Sequence, residues 1–160
     1  NRMEKTLISG VAKDDNVASV SLIGLKDVPG VAYKIFSILA KNRINIDIIL
    51  QSIGREATKD ITFTVSKENV AQVRKILEEN KDVLLFKDMT TNEKLSKVSI
   101  VGSGMINNPG IAAQMFEALY NVGINIHMIS TSEIKVSVLI DLSESDMALQ
   151  AVHKKFYPQS

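Results

Sequence analysis

The chain has 160 residues, 45% of them hydrophobic and 23% charged, with a formal net charge of +1. That length can bury a real core in one ordinary domain or two small ones, and the near-neutral charge gives no electrostatic case for nucleic acid or an anionic membrane as the main partner. There is no cysteine, which excludes disulfides, thiolate metal sites and cysteine nucleophiles and suits a cytoplasmic protein. No apolar run approaches the roughly 18 residues of a membrane span, and no signal-peptide pattern opens the chain. Asn1 and Arg2 precede Met3, so residues 1–2 read as a cut point and the chain as a piece of something longer.

In chain order, residues 5–13 (KTLISGVAK) predict a strand that belongs to no obvious unit. Residues 19–24 (SVSLIG) alternate, Val20 and Leu22 on one side and Ser19 and Ser21 on the other, as in a strand with one buried face. A Pro-Gly corner follows, where Pro29 suits a first helical turn because its missing N–H costs nothing there. Val31, Ala32, Ile35, Phe36 and Leu39 then form a helical stripe. Residues 44–52 (INIDIILQS) and 60–65 (DITFTV) are β-branched and predict strands, with GREATK at 54–59 as the turn. Residues 66–80 predict a helix with Ser66 as N-cap and Val70, Val73, Ile76 and Leu77 facing in. VLLF at 83–86 is expected to close the unit as a strand, giving the ferredoxin-like order βαββαβ.

The same grammar then returns. VSIVG at 98–102 matches VSLIG at 20–24, Pro109-Gly110 matches Pro29-Gly30, and INIH at 124–127 matches INID at 44–47. The second helical stripe is Ile111, Ala112, Met115, Phe116 and Leu119, which makes Met115 and Phe116 core residues. This is an internal duplication. The second unit ends in a helix and YPQS, one strand short, so the surplus N-terminal strand is expected to complete its sheet. An unfilled sheet edge would invite aggregation. The expected fold is α+β, two ferredoxin-like βαββαβ domains in tandem: one at 15–90, and a discontinuous one at 5–14 plus 95–157.

That fold hosts many activities. RNA-recognition versions need stacking aromatics on the central strands, where this chain carries aliphatic residues and Thr, with Phe63 the only ring on those strands in the first unit. Metal-carrying versions need a C-x-x-C. His127 and His153 stand outside any metal-ligand spacing and read as structural or surface residues. GSG at 102–104 lacks the third glycine of a dinucleotide loop, since Asn107 stands there, so no cofactor is expected.

What remains is a small polar site at each strand-to-helix corner. Backbone N–H groups at a helix start suit a carboxylate. Asp27, the amides of Gln51, Asn45 and Asn125, and the hydroxyls of Ser52 and Ser132 add what a zwitterionic amino acid needs. The plainer alternative makes Asp27 and Asn107 turn formers and Asn45 and Asn125 strand-start residues.

The strings DVPG, INIDIILQS, DITFTV, KVSIVGSGM, NPG, ISTSEIKVSVLI and AVHKKF, spread over residues 5–156, resemble the tandem ACT domains of the aspartokinase regulatory region. ISTSEIKVSVLI is the most specific of them; the Pro-Gly corner alone is not. The resemblance implies the borrowed strand and two effector pockets. One would use Leu25, Asp27, Gly30, Ala32 and Gln51, closed by Asn125 and Ile126 of the other unit. Its pseudo-equivalent would set Asn45, Ile46 and Asp47 against Met105, Gly110, Ser132 and Glu133. Ile106-Asn107-Asn108 aligns with Lys26-Asp27-Val28, so the second corner lacks a carboxylate matching Asp27, and the pockets should differ. The resemblance further implies threonine, lysine or both as effector, feedback inhibition in lysine, threonine and methionine biosynthesis, a homodimer, and a kinase domain or subunit as partner. No catalytic site is expected in this segment. Two alternatives stand beside this: a stand-alone tandem ACT regulator of another enzyme or a transcription factor, and a dimerisation module with vestigial pockets.

Overall fold

The computed structural model describes residues 8–54 and 56–158, so residues 5–7 of the expected N-terminal strand and Arg55 of the expected turn lie outside the described residues. The elements in order are β1 (Ile8–Lys26), α1 (Val31–Lys41), β2 (Ile49–Ile53), β3 (Thr58–Val65), α2 (Val70–Glu79), α3 (Lys81–Leu84) and β4 (Asp88–Gly102). There follow α4 (Pro109–Asn121), β5 (Met128–Thr131), β6 (Lys135–Asp141) and α5 (Ser145–Phe156). The chain divides into two compact units, Asn16–Glu93, and the residues up to Asp15 together with those from Lys94 on. β1 and β4 each give part of their length to one unit and the rest to the other.

β1 corrects the expectation of two separate strands, at 5–13 and 19–24: it is one strand of 19 residues. The polar stretch between them does not interrupt it because its side chains find partners beside the strand. Asp15 Oδ1 accepts the Ser96 hydroxyl at 2.7 Å, and Asn16 Oδ1 accepts the Lys67 N–H at 2.9 Å.

In the unit Asn16–Glu93 the strand order is β2-β3-β1-β4. β1 and β2 both run antiparallel to β3, with Val20 opposite Phe63 and both Leu22 and Gln51 opposite Ile61. Leu22, Ile35, Leu39, Phe63, Val73 and Leu77 are buried together beneath the helices, with Val31, Ala32 and Phe36 of the predicted stripe packed against them. The Phe36 ring meets Phe63 edge-on at 5.7 Å. Ser66 sits in the cap position with extended backbone, but its side chain makes no capping bond; a 3-10 turn, Lys67–Asn69, leads into α2.

VLLF is not a strand. Leu84 and Phe86 are buried and Val83 and Leu85 exposed, a period of two that mimics a strand. The backbone achieves it differently: α3 ends at Leu84, and Leu85 takes a left-handed φ of 55° that turns Phe86 into the core. The closing strand is instead the start of β4. INIDIILQS also begins its ladder late, at Ile49, because Ile44 and Ile48 are buried and Ile46 packs on the core while the backbone is tied only at points. The Ile48 N–H donates to Thr64 Oγ1 at 2.9 Å and the Asp47 N–H to the Thr64 carbonyl at 3.2 Å. INIHMIST behaves alike: β5 starts at Met128, after the His127 N–H has bonded the Leu139 carbonyl at 2.8 Å.

In the other unit the order is β1-β4-β6-β5, and β6 is antiparallel to both β4 and β5. The first residues of β1 supply the strand that the repeat lacks. Ile8 is buried with Val98, Ile100, Met115, Leu119 and Val152. The Ser9 hydroxyl donates to the Val101 carbonyl at 3.1 Å, and the Tyr157 hydroxyl donates to the Ile8 carbonyl at 2.6 Å. Lys13 Nζ donates to Asp15, Ser145 and Asp146 at 2.9, 3.1 and 2.7 Å, fastening this strand to the start of α5. His127 Nε2 pairs with Asp141 Oδ1 at 2.7 Å, and the His153 ring lies 5.0 Å from that of Tyr157.

Candidate functional site: two strand-to-helix corners

At the first corner β1 carries a bulge. Leu22 faces Ile61, but Leu25 faces Lys59, one residue more on β1 than on β3. Gly24 absorbs the extra residue at φ 72°, a left-handed value that favours glycine, and its N–H is held by Asp60 Oδ1 at 2.9 Å. The bulge returns Leu25 to the buried face and leads the chain outward to Asp27, whose N–H donates to the Ala57 carbonyl at 2.8 Å.

Pro29 does not enter the helix, contrary to expectation. Gly30 caps α1 with φ 92°, and its carbonyl accepts the Lys34 N–H at 3.0 Å. No side chain caps α1, so its first-turn N–H groups have no capping side chain and carry the positive end of the helix dipole. Ala32 is half-buried on that turn, and Gln51 is exposed on β2. Directly opposed residues share a sheet face, so the pairs Gln51–Ile61, Leu25–Lys59 and Ile53–Lys59 put Gln51, Leu25 and Lys59 on the face that packs under α1. Lys59 Nζ lies 3.5 Å from Asp27 Oδ1. Sequence reading missed Lys59 because it placed residues 54–59 in the turn, whereas β3 begins at Thr58 and puts Lys59 on the strand two positions before the core residue Ile61.

The second corner is built differently. Pro109 does occupy the first turn of α4, and a 3-10 turn, Met105–Asn107, precedes it. The Asn108 side chain does not cap α4 but donates to the Gly104 carbonyl at 3.2 Å. A cavity of about 420 Å³ opens here, within the range of small-ligand pockets. Met105, Ser132 and Glu133 of the expected set line it, joined by Asn108, Ile111 and Val136, which were not anticipated. Gly110 is not among its lining residues. Ser132 and Glu133 sit in the turn between β5 and β6, closed by the Ser132 N–H to the Lys135 carbonyl at 2.8 Å. Glu133 thus brings a carboxylate to the second corner from a different element than the one that carries Asp27.

The remaining expected residues fall in opposite units. Asn45, Ile46 and Asp47 belong to Asn16–Glu93, with Asn45 and Asp47 exposed; Asn125, exposed, and Ile126, packed on the core, belong to the other. Among the described residues no helix is long and apolar enough to cross a membrane.

The ACT domain family model matches residues 20–80 and 98–156. An aspartokinase of Helicobacter pylori is 45% identical over 153 residues, covering 95% of this chain and 37% of that protein, so the chain spans little more than a third of that relative. The regulatory subunit of aspartate kinase from Thermus thermophilus, in a ligand-free crystal structure, superposes with a TM-score of 0.87 at 36% identity. That likeness covers 92% of this chain and 98% of the Thermus one. A chain from a crystal structure of aspartokinase alpha and beta subunits has a TM-score of 0.86 at 42% identity, covering 93% and 98%. The chain belongs to the ACT domain family and, within it, to the regulatory subunits and regulatory regions of aspartokinase.

Proposed function

We propose that the chain senses a free end-product amino acid, threonine or lysine, and uses it to inhibit an aspartokinase catalytic domain or subunit in the cytoplasm. The observation that carries this reading is the cavity at the second corner, where Met105, Ser132 and Glu133 converge beside a helix start. The first corner supplies the complementary chemistry for a zwitterion. N–H groups of the first turn of α1 take the carboxylate, Asp27 takes the ammonium, and Gln51 bonds a side-chain hydroxyl. Homodimerisation completes the regulatory unit. A ligand that prefers one arrangement of these parts must, by linkage, bias the attached kinase by the same free energy.

Calorimetric titration of the 160-residue chain with threonine, lysine and methionine tests this. Threonine is expected to bind the first corner, and Asp27→Ala to weaken it about tenfold or more, the scale of a lost charged hydrogen bond. Gln51→Ala should erase the preference for threonine over valine. If none of the three amino acids binds, or Asp27→Ala keeps full affinity, the assignment is wrong.

A further inference from the structure

We propose that Lys59 is a specificity-determining residue of the first corner, making it select a zwitterion over a cation. This deepens the effector reading above and rests on it. Lysine is rarely withdrawn from water unless paired, yet the Lys59 side chain is only 14% exposed, against 42% for its partner Asp27. Its position explains the withdrawal. Lys59 stands directly opposite the buried Leu25, on the face of β3 that also carries the core residue Ile61, while Ile53 on its other side is exposed. Its stem therefore follows the buried face while its ammonium comes out at the corner, 3.5 Å from the Asp27 carboxylate.

The consequence is electrostatic. Asp27 alone would be a single negative charge that any cation satisfies. Lys59 sets a fixed positive charge beside that carboxylate, and the pair matches a ligand that is itself a compact pair of opposite charges. The ligand ammonium takes Asp27, and its carboxylate meets Lys59 together with the first-turn N–H groups of α1. A ligand with an ammonium and no carboxylate meets the like charge of Lys59 with nothing to offset it. The second corner has the opposite character: Glu133 is the one charged side chain among its described lining residues.

The experiment is calorimetric titration of the full 160-residue chain with threonine and with threoninamide, which keeps the ammonium and lacks the carboxylate. Binding at the first corner is taken as the component that Asp27→Ala removes. Wild type should prefer threonine. Lys59→Met should shift the ratio of the two dissociation constants at least tenfold toward threoninamide, and Lys59→Arg should restore the wild-type ratio. Lys59→Gln reads the same ratio should Lys59→Met not fold. A ratio unmoved within twofold in the uncharged variants, with threonine still bound, overturns the role of Lys59 and leaves the effector reading standing. Failure of wild type to bind either ligand overturns both.

Discussion

The Ser96 hydroxyl of β4 donates to Asp15 Oδ1 of β1 across 2.7 Å, and Lys13 Nζ reaches the other oxygen of the same carboxylate at 2.9 Å. These contacts fasten the N-terminal strand into the sheet formed by residues 94–141. The Ser96 bond first, and the Lys13 bond next, hold the Asp15 carboxyl below its ordinary value of 3.8; bonds to Asp146 and Asp15 raise the Lys13 ammonium above 10.5.

Stability should therefore fall at both ends of the pH range. Asp15 is depressed in the folded state, so its contribution is complete above 3.8 and is lost as pH falls through its lowered folded value. Lys13 is raised, so its contribution is complete below 10.5 and is lost as pH rises through its folded value. Because the Asp15 side chain is 43% exposed, solvent screening limits the effect of Asp15→Ala at neutral pH to about 1 kcal/mol. Urea unfolding against pH checks this: the gap between wild type and variant should close below 3.8. A gap independent of pH would show that the carboxylate charge plays no part.

A second prediction concerns paired hydroxyls. Ser99 and Ser137 face each other across β4 and β6, both buried, with their oxygens 2.7 Å apart. Ser21 and Thr62 repeat the arrangement on β1 and β3 at 2.8 Å. Removing one buried hydroxyl leaves the other unsatisfied, so Ser99→Ala should cost about 1–3 kcal/mol. Adding Ser137→Ala should cost less than the sum of the two single changes, because no polar group is then left stranded. A double-mutant cycle in urea measures the coupling, expected at 0.5 kcal/mol or more. Simple additivity would mean that the pair does not act as a unit.

The two corner glycines should respond oppositely to alanine. Gly30 caps α1 at φ 92°, where a Cβ strains the backbone even though no atom crowds it, so Gly30→Ala should destabilise by about 1 kcal/mol. Gly110 lies in the first turn of α4 without a positive φ and with open space where its Cβ would stand. Gly110→Ala should be neutral or stabilising by roughly 0.4–1 kcal/mol, through the unfolded chain. Thermal unfolding of the two variants decides it, and equal shifts would contradict the different backbone at the two corners.

Much of this protein is legible in its sequence. The alternation of Val20 and Leu22, the stripe from Val31 to Leu39 and the echo of both after Val98 are local periodicities, set by the geometry of strand and helix alone. The missing last strand of the second unit could also be read, because a repeat that stops short leaves a sheet edge that something must cover. Period failed at VLLF, where Leu84 and Phe86 turn inward by way of a helical turn and the left-handed Leu85; burial alternates there although the backbone is not a strand. Local signals also split β1 in two, since the partners that satisfy Asp15 and Asn16, Ser96 and Lys67, are remote in sequence. The corners divide in the same way. Asp27 and Ser132 could be nominated from turn chemistry and Glu133 through the family resemblance, but Lys59 becomes Asp27's partner only through the bulge at Gly24, which shifts the register so that Leu25 and Lys59 stand opposite each other. Register is a property of two strands together, and no single stretch of sequence carries it.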